Sequence, residues 1–153
     1  MISITELLTP ECIQLDLTER RKKRVIAELT GILEAAGRVR DGAALADSII
    51  ERENIASTGI GHGIAIPHCL TGLADRTVMA FGRSEAGIPF DAADNKPARL
   101  IFLLAGPRTA TVEHLKLLSK LSRLLTEESF REALLDAESP EEIIELFRKG
   151  EEL

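Results

Sequence analysis

Apolar and polar residues alternate with two different periods in the first third of the chain. Over residues 12–17 the period is two, which predicts a strand at the edge of a sheet. A short helical turn over residues 5–8, ended at Pro10, precedes this strand. After it the period becomes that of a helix, which we expect Thr18 to cap and Gly37 to end in a left-handed conformation. The apolar stripe of this helix comprises Val25, Ile26, Leu29, Ile32, Leu33 and Ala36.

Helical periodicity returns after this segment and dominates the last third of the chain. A second helix is predicted roughly over residues 43–53, with Leu45 and Ile49 on its inner stripe. Thr111 is expected to cap a later helix, and another spans about residues 127–137. The helix capped by Thr111 carries Leu115, Leu118, Leu121, Ser122 and Leu125. The last helix begins with three residues typical of a helix start, namely Ser139 as cap, Pro140 at the first position and Glu142 closing a capping box.

Strands are predicted in the centre of the chain, at residues 77–82 and 99–104, joined by a connection rich in Gly, Pro and Asp. A flexible glycine-rich loop over residues 57–63 precedes them and leads into the segment 64–66. The order of elements predicts an α/β or α+β fold, a mixed β-sheet flanked by helices on both sides, with residues 1–153 as a single domain. Parallel pairing is expected between strands joined by helical crossovers, and the strand order stays open.

Composition and charge restrict the class of protein further. The 153 residues are 44% hydrophobic and 29% charged, as in an ordinary globular domain. We expect no membrane insertion, because no apolar run could span a bilayer and the start lacks a secretory signal. A formal net charge of -6 and the absence of Trp and Tyr disfavour nucleic-acid binding. Cys12 and Cys69 form no CxxC pair, so we interpret them as reduced thiols of a cytoplasmic protein.

His68 is the strongest candidate for a reactive residue. Pro67 fixes its own φ and favours an extended backbone at Ile66, so the chain leaves the strand along a defined path and presents His68 in a set direction. A single histidine at a strand end is more often structural or merely exposed. Its neighbours therefore decide the interpretation.

The glycine-rich loop offers groups that bind anions. Gly59, Gly61 and Gly63 let backbone N–H groups approach a phosphate closely, and Ser57 and Thr58 add hydroxyl donors. The segment lacks the Lys-Ser/Thr ending of a Walker loop, so nucleotide binding is not favoured. We expect these five residues to form a phosphate-binding loop, although glycine-rich turns often serve the fold alone.

Two further residues are candidates for binding an anion. Arg52 lies three residues after Ile49, so a helix sends its side chain along the inner stripe, where it covers the helix C-terminus, reaches an anion, or does both. With Thr111 as N-cap, His114 occupies the third helical position, where the helix dipole disfavours imidazolium. A neutral His114 then donates a hydrogen bond either to a phosphoryl oxygen or to a carbonyl at the edge of the core.

These candidates together favour one enzymatic reaction, phosphoryl transfer through histidine. A neutral His68 attacks phosphorus in line, while Arg52, His114 and the loop amides stabilise the negative charge. We expect no metal and no cofactor. The product is a phosphoramidate, which can pass its phosphoryl group onward.

Three stretches of sequence resemble a known family. Residues 52–68 read RENIASTGIGHGIAIPH, residues 87–104 read GIPFDAADNKPARLIFLL, and residues 114–125 read HLKLLSKLSRLL. Over nearly the whole chain they resemble the fructose/mannitol-class (type 2) enzyme IIA domain of the bacterial phosphoenolpyruvate-dependent phosphotransferase system. Within this family the chain looks most like the nitrogen-regulatory type.

The resemblance implies a role for each candidate residue. His68, which closes the AIPH motif, corresponds to the phosphorylated nucleophile, His114 to the second active-site histidine and Arg52 to the phosphate-binding arginine. It also implies that the histidine phosphocarrier protein is the phosphoryl donor. The group then passes to a IIB component in sugar transport, or its presence controls binding to regulated target proteins. Cys69 stands where the family commonly has glycine or another small residue.

Two alternative interpretations assign the protein to other functional classes. A zinc hydrolase would use His62, His68, His114 and Cys69, but adjacent His68 and Cys69 would have difficulty facing one ion, and no HExxH or CxxC occurs. In the leading interpretation His62 is a bystander. A non-catalytic binding module would dock through the basic cluster at residues 20–24, although such clusters at a helix start are usually solvated.

Overall fold

The computed structural model describes residues 3–152, which form six α-helices and six β-strands. Helices and strands occur in the order that the hydrophobic periodicity predicts, with helices first, strands in the centre and helices last. The helices are α1 (Ile4–Leu7), α2 (Lys22–Ala35), α3 (Gly42–Ile55), α4 (Thr111–Leu125), α5 (Glu128–Asp136) and α6 (Pro140–Glu151). The strands are β1 (Ile13–Gln14), β2 (Gly59–Gly61), β3 (Ile64–Ala65), β4 (His68–Leu70), β5 (Val78–Ile88) and β6 (Ala98–Gly106).

All six strands belong to one mixed sheet. Its order is β1-β5-β6-β3-β2, and β4 pairs with β6 beyond the end of β3. β1 pairs with β5 in parallel through the crossover that contains α2 and α3, as expected for strands joined by helices. β5 and β6 are antiparallel, whereas β3 and β4 both run parallel to β6. The central strand β6 thereby pairs both with β3, which precedes His68, and with β4, which begins at His68.

Helices cover both faces of this sheet, because its two central strands alternate apolar residues between the faces. Leu100, Phe102 and Leu104 of β6 pack with α1, α4, α5 and α6. Ile101 and Leu103 pack on the opposite face with α2 and α3. The expected fold class, a mixed β-sheet with helices on both sides, is confirmed.

The predicted edge strand is shorter than the period-two pattern indicates. Only Ile13 and Gln14 pair with β5, because Pro10–Cys12 forms a turn of 3₁₀ helix. Downstream of β1, the Leu17 N–H still donates to the Arg83 carbonyl at 2.9 Å. The segment is nevertheless at the edge of the sheet, as predicted.

The start of α2 differs from the prediction, whereas its end agrees. Thr18 does not cap the helix, because α2 begins after Arg21, three residues further along the chain. The Thr18 N–H donates to the Glu28 carboxylate at 3.1 Å, which holds the segment before the helix against α2. At the other end Gly37 has φ +73°, and the Arg38 N–H donates to the Leu33 carbonyl at 2.8 Å. This bonding is a Schellman motif, so the predicted helix terminator is confirmed.

The start of α4 also differs from the prediction. Thr111 is the first helical residue rather than the cap, and the cap position is Ala110. His114 is therefore the fourth helical residue, and its N–H donates to the Ala110 carbonyl at 2.9 Å. The inner stripe also differs from the predicted one: Leu117 and Leu121 pack into the core, whereas Leu115 is 59% exposed.

The capping signature of α6 is confirmed in part. The Glu142 N–H donates to Ser139 Oγ at 3.2 Å, and Pro140 is the first helical residue. The Glu142 carboxylate accepts from the Glu138 N–H at 3.2 Å instead of from the Ser139 N–H.

Across residues 3–152, no helix combines the length and apolar character that crossing a bilayer requires.

Candidate active site

His68 is the first residue of β4, and its ring has a defined hydrogen-bonding state. The Pro67 carbonyl accepts from the Leu104 N–H at 3.0 Å, which holds the chain against β6 immediately before His68. Nδ1 of His68 lies 2.6 Å from the Ile66 carbonyl oxygen. A carbonyl only accepts, so Nδ1 carries the proton and Nε2 keeps its lone pair. Nε2 is therefore the ring nitrogen of His68 that can act as a nucleophile.

His114 lies beside His68, although it comes from a different element. The two ring centroids are 5.4 Å apart and the rings are tilted by 49°. His114 is buried, with 5% of its surface exposed, and its Nδ1 has no hydrogen-bond partner among the described residues. The short connection from β6 to α4 accounts for the contact, because β4 pairs with the carboxyl-terminal part of β6.

Both histidines are held in the neutral form near pH 7. Burial lowers the pKa of His68, and the Arg52 charge lowers it further, whereas the hydrogen bond to Ile66 and the Glu53 carboxylate act in the opposite direction. Burial, with a contribution from His68, lowers the pKa of His114 to about 4. Neutral imidazole is the form that can attack an electrophile or share a hydrogen bond with an anion without a prior proton loss.

Arg52 completes the arrangement from the last turn of α3. One of its terminal N–H groups donates to the Ala56 carbonyl at 3.2 Å, so it does cover the helix C-terminus. The side chain also lines a cavity of about 460 Å³ together with His68 and His114. The other residues that line it are Ser48, Glu51, Ile55, Cys69, Leu70, Thr71 and Arg108. The three residues predicted to act together thus meet at one cavity.

Arg108 is a cavity residue that the sequence reasoning missed. It lies just after β6, in the connection that leads to α4. Its place immediately after a buried strand was the available signal, since residues at the carboxyl ends of strands often line ligand sites. Arg108 adds a second guanidinium to the cavity.

The glycine-rich segment is a β-hairpin rather than a flexible loop. β2 and β3 are antiparallel, and the two residues between them, His62 and Gly63, have φ +57° and +78°. Positive φ at both positions is typical of a tight hairpin turn. The requirement for glycine here arises from the turn.

The five residues predicted to bind phosphate are not placed in this cavity. Ser57 Oγ donates to the Phe90 carbonyl and accepts from the Gly59 N–H. Both the N–H and the hydroxyl of Thr58 donate to the Glu53 carboxylate. Ser57, Thr58, Gly59, Gly61 and Gly63 are all absent from its lining. Their polar groups form bonds within the hairpin and to its neighbours instead.

Glu53 is a buried charge that the sequence reasoning also missed. It is 6% exposed, and its carboxylate lies 2.8 Å from Lys22 Nζ. A signal was present, because Glu53 is four residues after Ile49 and so falls on the buried stripe of α3. Lys22 belongs to the basic cluster at residues 20–24, so this member of the cluster is used inside the fold.

Cys69 and His62 do not add reactive groups to the cavity. Burial raises the pKa of the Cys69 thiol to about 11, so it stays protonated although it lines the cavity. The His62 N–H donates to the Asp94 carboxylate at 3.0 Å, in the hairpin turn. Within residues 3–152, no three His, Cys, Asp or Glu side chains are grouped to hold a metal ion. The zinc alternative therefore lacks a ligand set in the part of the chain described.

Comparison with known proteins gives a family match over almost the whole chain. Residues 6–150 match the family described as "Phosphoenolpyruvate-dependent sugar phosphotransferase system, EIIA 2". The fructose-specific EIIABC component of Bacillus subtilis is 42% identical over 97% of this chain, which spans only 23% of that relative. The fructose-specific EIIA component of Haloferax volcanii is 44% identical over 89% of both chains.

Solved structures with the same fold include two relevant proteins. The nitrogen regulatory protein IIA-Ntr of Neisseria meningitidis has a TM-score of 0.88 and 38% identity, covering 94% of this chain and 98% of its own. The complex of the mannitol enzyme IIA with phosphorylated mannitol enzyme IIB of Escherichia coli has a TM-score of 0.80 and 25% identity, covering 93% of this chain and 97% of that one.

Proposed function

The chain belongs to the type 2 EIIA family of the phosphoenolpyruvate-dependent sugar phosphotransferase system, and from that premise we propose that it carries a phosphoryl group on Nε2 of His68. The observation that carries this proposal is the fixed state of the His68 ring. Its Nδ1–H donates to Ile66, so Nε2 keeps its lone pair, and His68 lines the same cavity as Arg52 and His114.

Phosphoryl acceptance at His68 requires no proton transfer from this residue before attack. The Nε2 lone pair forms the new N–P bond, while the bond from phosphorus to the donor nitrogen breaks and its electron pair returns to the donor. The Nδ1 proton stays on His68, shared with the Ile66 carbonyl. The positive charge that develops on the ring is thereby spread toward a fixed acceptor.

The cavity offers groups that bind the transferred phosphoryl oxygens. A guanidinium has five N–H donors, and only one terminal N–H of Arg52 is committed to Ala56, so other donors remain for the oxygens. Arg108 lines the same cavity, and neutral His114 donates one hydrogen bond. Groups that are already in place cost little reorganisation when the charge spreads during transfer.

Exposed apolar side chains around the cavity support the proposal that the donor and acceptor are proteins. Ile55 is 80% exposed and lines the cavity, while Val112 and Leu115 are 66% and 59% exposed on the turns of α4 that flank His114. Leu73, 40% exposed, follows the cavity residue Thr71. Apolar surface beside a reactive group fits the centre of a protein interface. We propose the histidine phosphocarrier protein as the donor.

Two fates of the phosphoryl group are each supported by a comparison. A nitrogen-regulatory role, in which phosphorylation controls binding to target proteins, is supported by the TM-score of 0.88 to IIA-Ntr. Transfer to a IIB component in sugar transport is supported by the 42% and 44% identity to fructose-specific proteins. Mixing the phosphorylated protein with a purified fructose-type IIB domain distinguishes the two fates. A protein of the sugar-transport type should transfer its phosphoryl group to the IIB domain within seconds, whereas one of the regulatory type should keep it.

Intact-mass measurement tests the phosphocarrier function. The protein is incubated with phosphoenolpyruvate, the first enzyme of the system and the phosphocarrier, and we expect one acid-labile phosphoryl group. His68→Ala should remove it, whereas His62→Ala, which changes an exposed histidine of the hairpin, should retain it. A charged phosphocarrier with no mass shift in the unmodified protein, or an unchanged shift in His68→Ala, would overturn the proposal.

A further inference from the structure

The carboxylate of Glu53 links α3 to α2 and to the segment that precedes β2. It accepts from the Thr58 N–H at 2.8 Å and from the Thr58 hydroxyl at 2.6 Å, and Lys22 Nζ of α2 lies 2.8 Å away. Its side chain is only 4% exposed. Charge-assisted bonds at this burial are among the strong ones in proteins, and a buried carboxylate depends on them. Glu53 therefore fixes the position of Thr58 relative to α3.

A short chain of hydrogen bonds leads from Thr58 to the reactive ring. The Thr58 carbonyl accepts from the Ile66 N–H at 3.1 Å. The carbonyl of the same Ile66 accepts from Nδ1 of His68 at 2.6 Å. The orientation of the His68 ring thus depends on Ile66, and Ile66 is held by the residue that Glu53 binds.

We propose that Glu53 is a positioning residue for His68, which keeps the proton on Nδ1 and directs Nε2 into the cavity. Glu53 does so through Thr58 and Ile66, without touching the reacting nitrogen. The proposal deepens the phosphocarrier function proposed above and rests on it for its purpose. It gives a buried acidic residue next to Arg52 a task that is separate from phosphate binding.

The charge of Glu53 supports the same role. Arg52 of α3 lowers the pKa of His68, and Glu53 of the same helix raises it. The other titratable or charged groups at the cavity are Glu51, Cys69, Arg108 and His114. A negative charge near the ring stabilises the partial positive charge that the ring gains while Nε2 attacks. Glu53 therefore offsets part of the effect by which the Arg52 charge disfavours positive charge on the His68 ring.

Two matched variants separate this role from general stabilisation. Glu53→Gln and Lys22→Gln both break the same buried ion pair, and we expect both to lower the free energy of unfolding. Only Glu53→Gln removes the negative charge and one strong acceptor of the Thr58 bonds. The double variant Lys22→Gln/Glu53→Gln leaves no unpaired charge, so it supplies the same readout if Glu53→Gln alone does not fold.

Nuclear magnetic resonance of the His68 ring nitrogens, combined with single-turnover phosphorylation, tests the proposal in the full chain. In Glu53→Gln we expect a larger population of the tautomer protonated at Nε2, a lower pKa of His68 and at least about tenfold slower acceptance at saturating phosphocarrier. In Lys22→Gln we expect the Nδ1–H tautomer to persist and the pKa of His68 not to fall.

Each other outcome overturns a specific statement. A normal tautomer and pKa in Glu53→Gln, or the same changes in Lys22→Gln, would show that the pair serves stability alone. An altered tautomer with an unchanged rate would remove the link to phosphoryl transfer. If the unmodified protein is not phosphorylated while the ring contrast holds, the phosphocarrier function fails and the control of the His68 ring by Glu53 stands.

Discussion

The imidazole rings of His68 and His114 lie 5.4 Å apart between centroids, one at the start of β4 and the other on the second turn of α4. Burial lowers the pKa of both rings, and His68 further disfavours a proton on His114. Two neutral imidazoles beside the Arg52 guanidinium therefore form a site whose fixed positive charge comes from arginine. In the proposed function, such a site accepts a phosphoryl group without first releasing a proton to solvent.

Acid should weaken the protein, and His114 should account for part of the loss. Its pKa is about 4 in the folded state against an ordinary value near 6.5, so the unfolded state binds more protons between these values. The His114 ring therefore costs the folded state nothing above pH 6.5, and it lowers the free energy of unfolding progressively as the pH falls toward 4. We expect the free energy of unfolding in urea to drop by about 2 kcal/mol more in the unmodified protein than in His114→Gln between pH 7 and pH 5. Equal drops would contradict this assignment.

Arg52→Gln should slow phosphorylation strongly while leaving the fold intact. The variant removes a positive charge from the cavity, and losing one donor to a developing anion costs about 100-fold in rate. Stopped-flow or quench measurements with phosphorylated carrier provide the rate. Arg40→Gln is the matched control, because Arg40 pairs with Asp75 in an exposed position outside the cavity. A comparable slowing in both variants would count against a local role for Arg52.

The exposed apolar residues beside the cavity should matter for docking. Val112→Glu places a charge in the proposed interface next to His114, so we expect a roughly tenfold higher KM for the phosphorylated carrier, with little change in thermal stability. Ile60→Glu is the control, since Ile60 is also exposed, at 51%, but lies on β2 and does not line the cavity. If the two substitutions raise KM equally, the docking surface is not centred on His68.

Two glycines near the end of α2 should respond oppositely to the same substitution. An added Cβ meets nothing within 4 Å at either Gly31 or Gly37, so steric contact does not decide the result. Gly31 is inside the helix, and Gly31→Ala should stabilise the protein by about 0.5–1 kcal/mol. Gly37 has φ +73°, and Gly37→Ala should destabilise it by roughly 1–2 kcal/mol. Chemical denaturation of the two variants measures both effects.

Local patterns predicted those elements in which the determining interaction is short-range. The strand at residues 99–104, the left-handed turn at Gly37 and the cap at Ser139 depend mainly on the residue types within a few positions. The caps predicted at Thr18 and Thr111 were wrong, because a residue type that suits a cap does not fix the residue at which a helix starts. The structure begins α2 after Arg21 and α4 at Thr111 itself.

The candidate site also combines residues that the sequence placed correctly with residues that it assigned wrongly. Arg52, His68 and His114 were identified from residue type and placement, and the structure places all three at one cavity. The glycine-rich segment was assigned to phosphate because its composition suits an anion loop, whereas pairing of β2 with β3 uses the same glycines for a hairpin turn. Composition alone does not distinguish these uses, since both require positive φ or close backbone approach.

The sequence by itself determined the pattern of buried and exposed positions, most element types and the choice of His68 as the candidate nucleophile, because periodicity and backbone preferences act over a few residues. Only the tertiary structure decided which side chains meet. The parallel pairing of β4 with β6 places His68 near the start of α4, and the burial of α3 converts Glu53 from a surface acid into an anchor for Thr58. These relations arise from contacts between distant segments, and they set the protonation state and direction of the His68 ring.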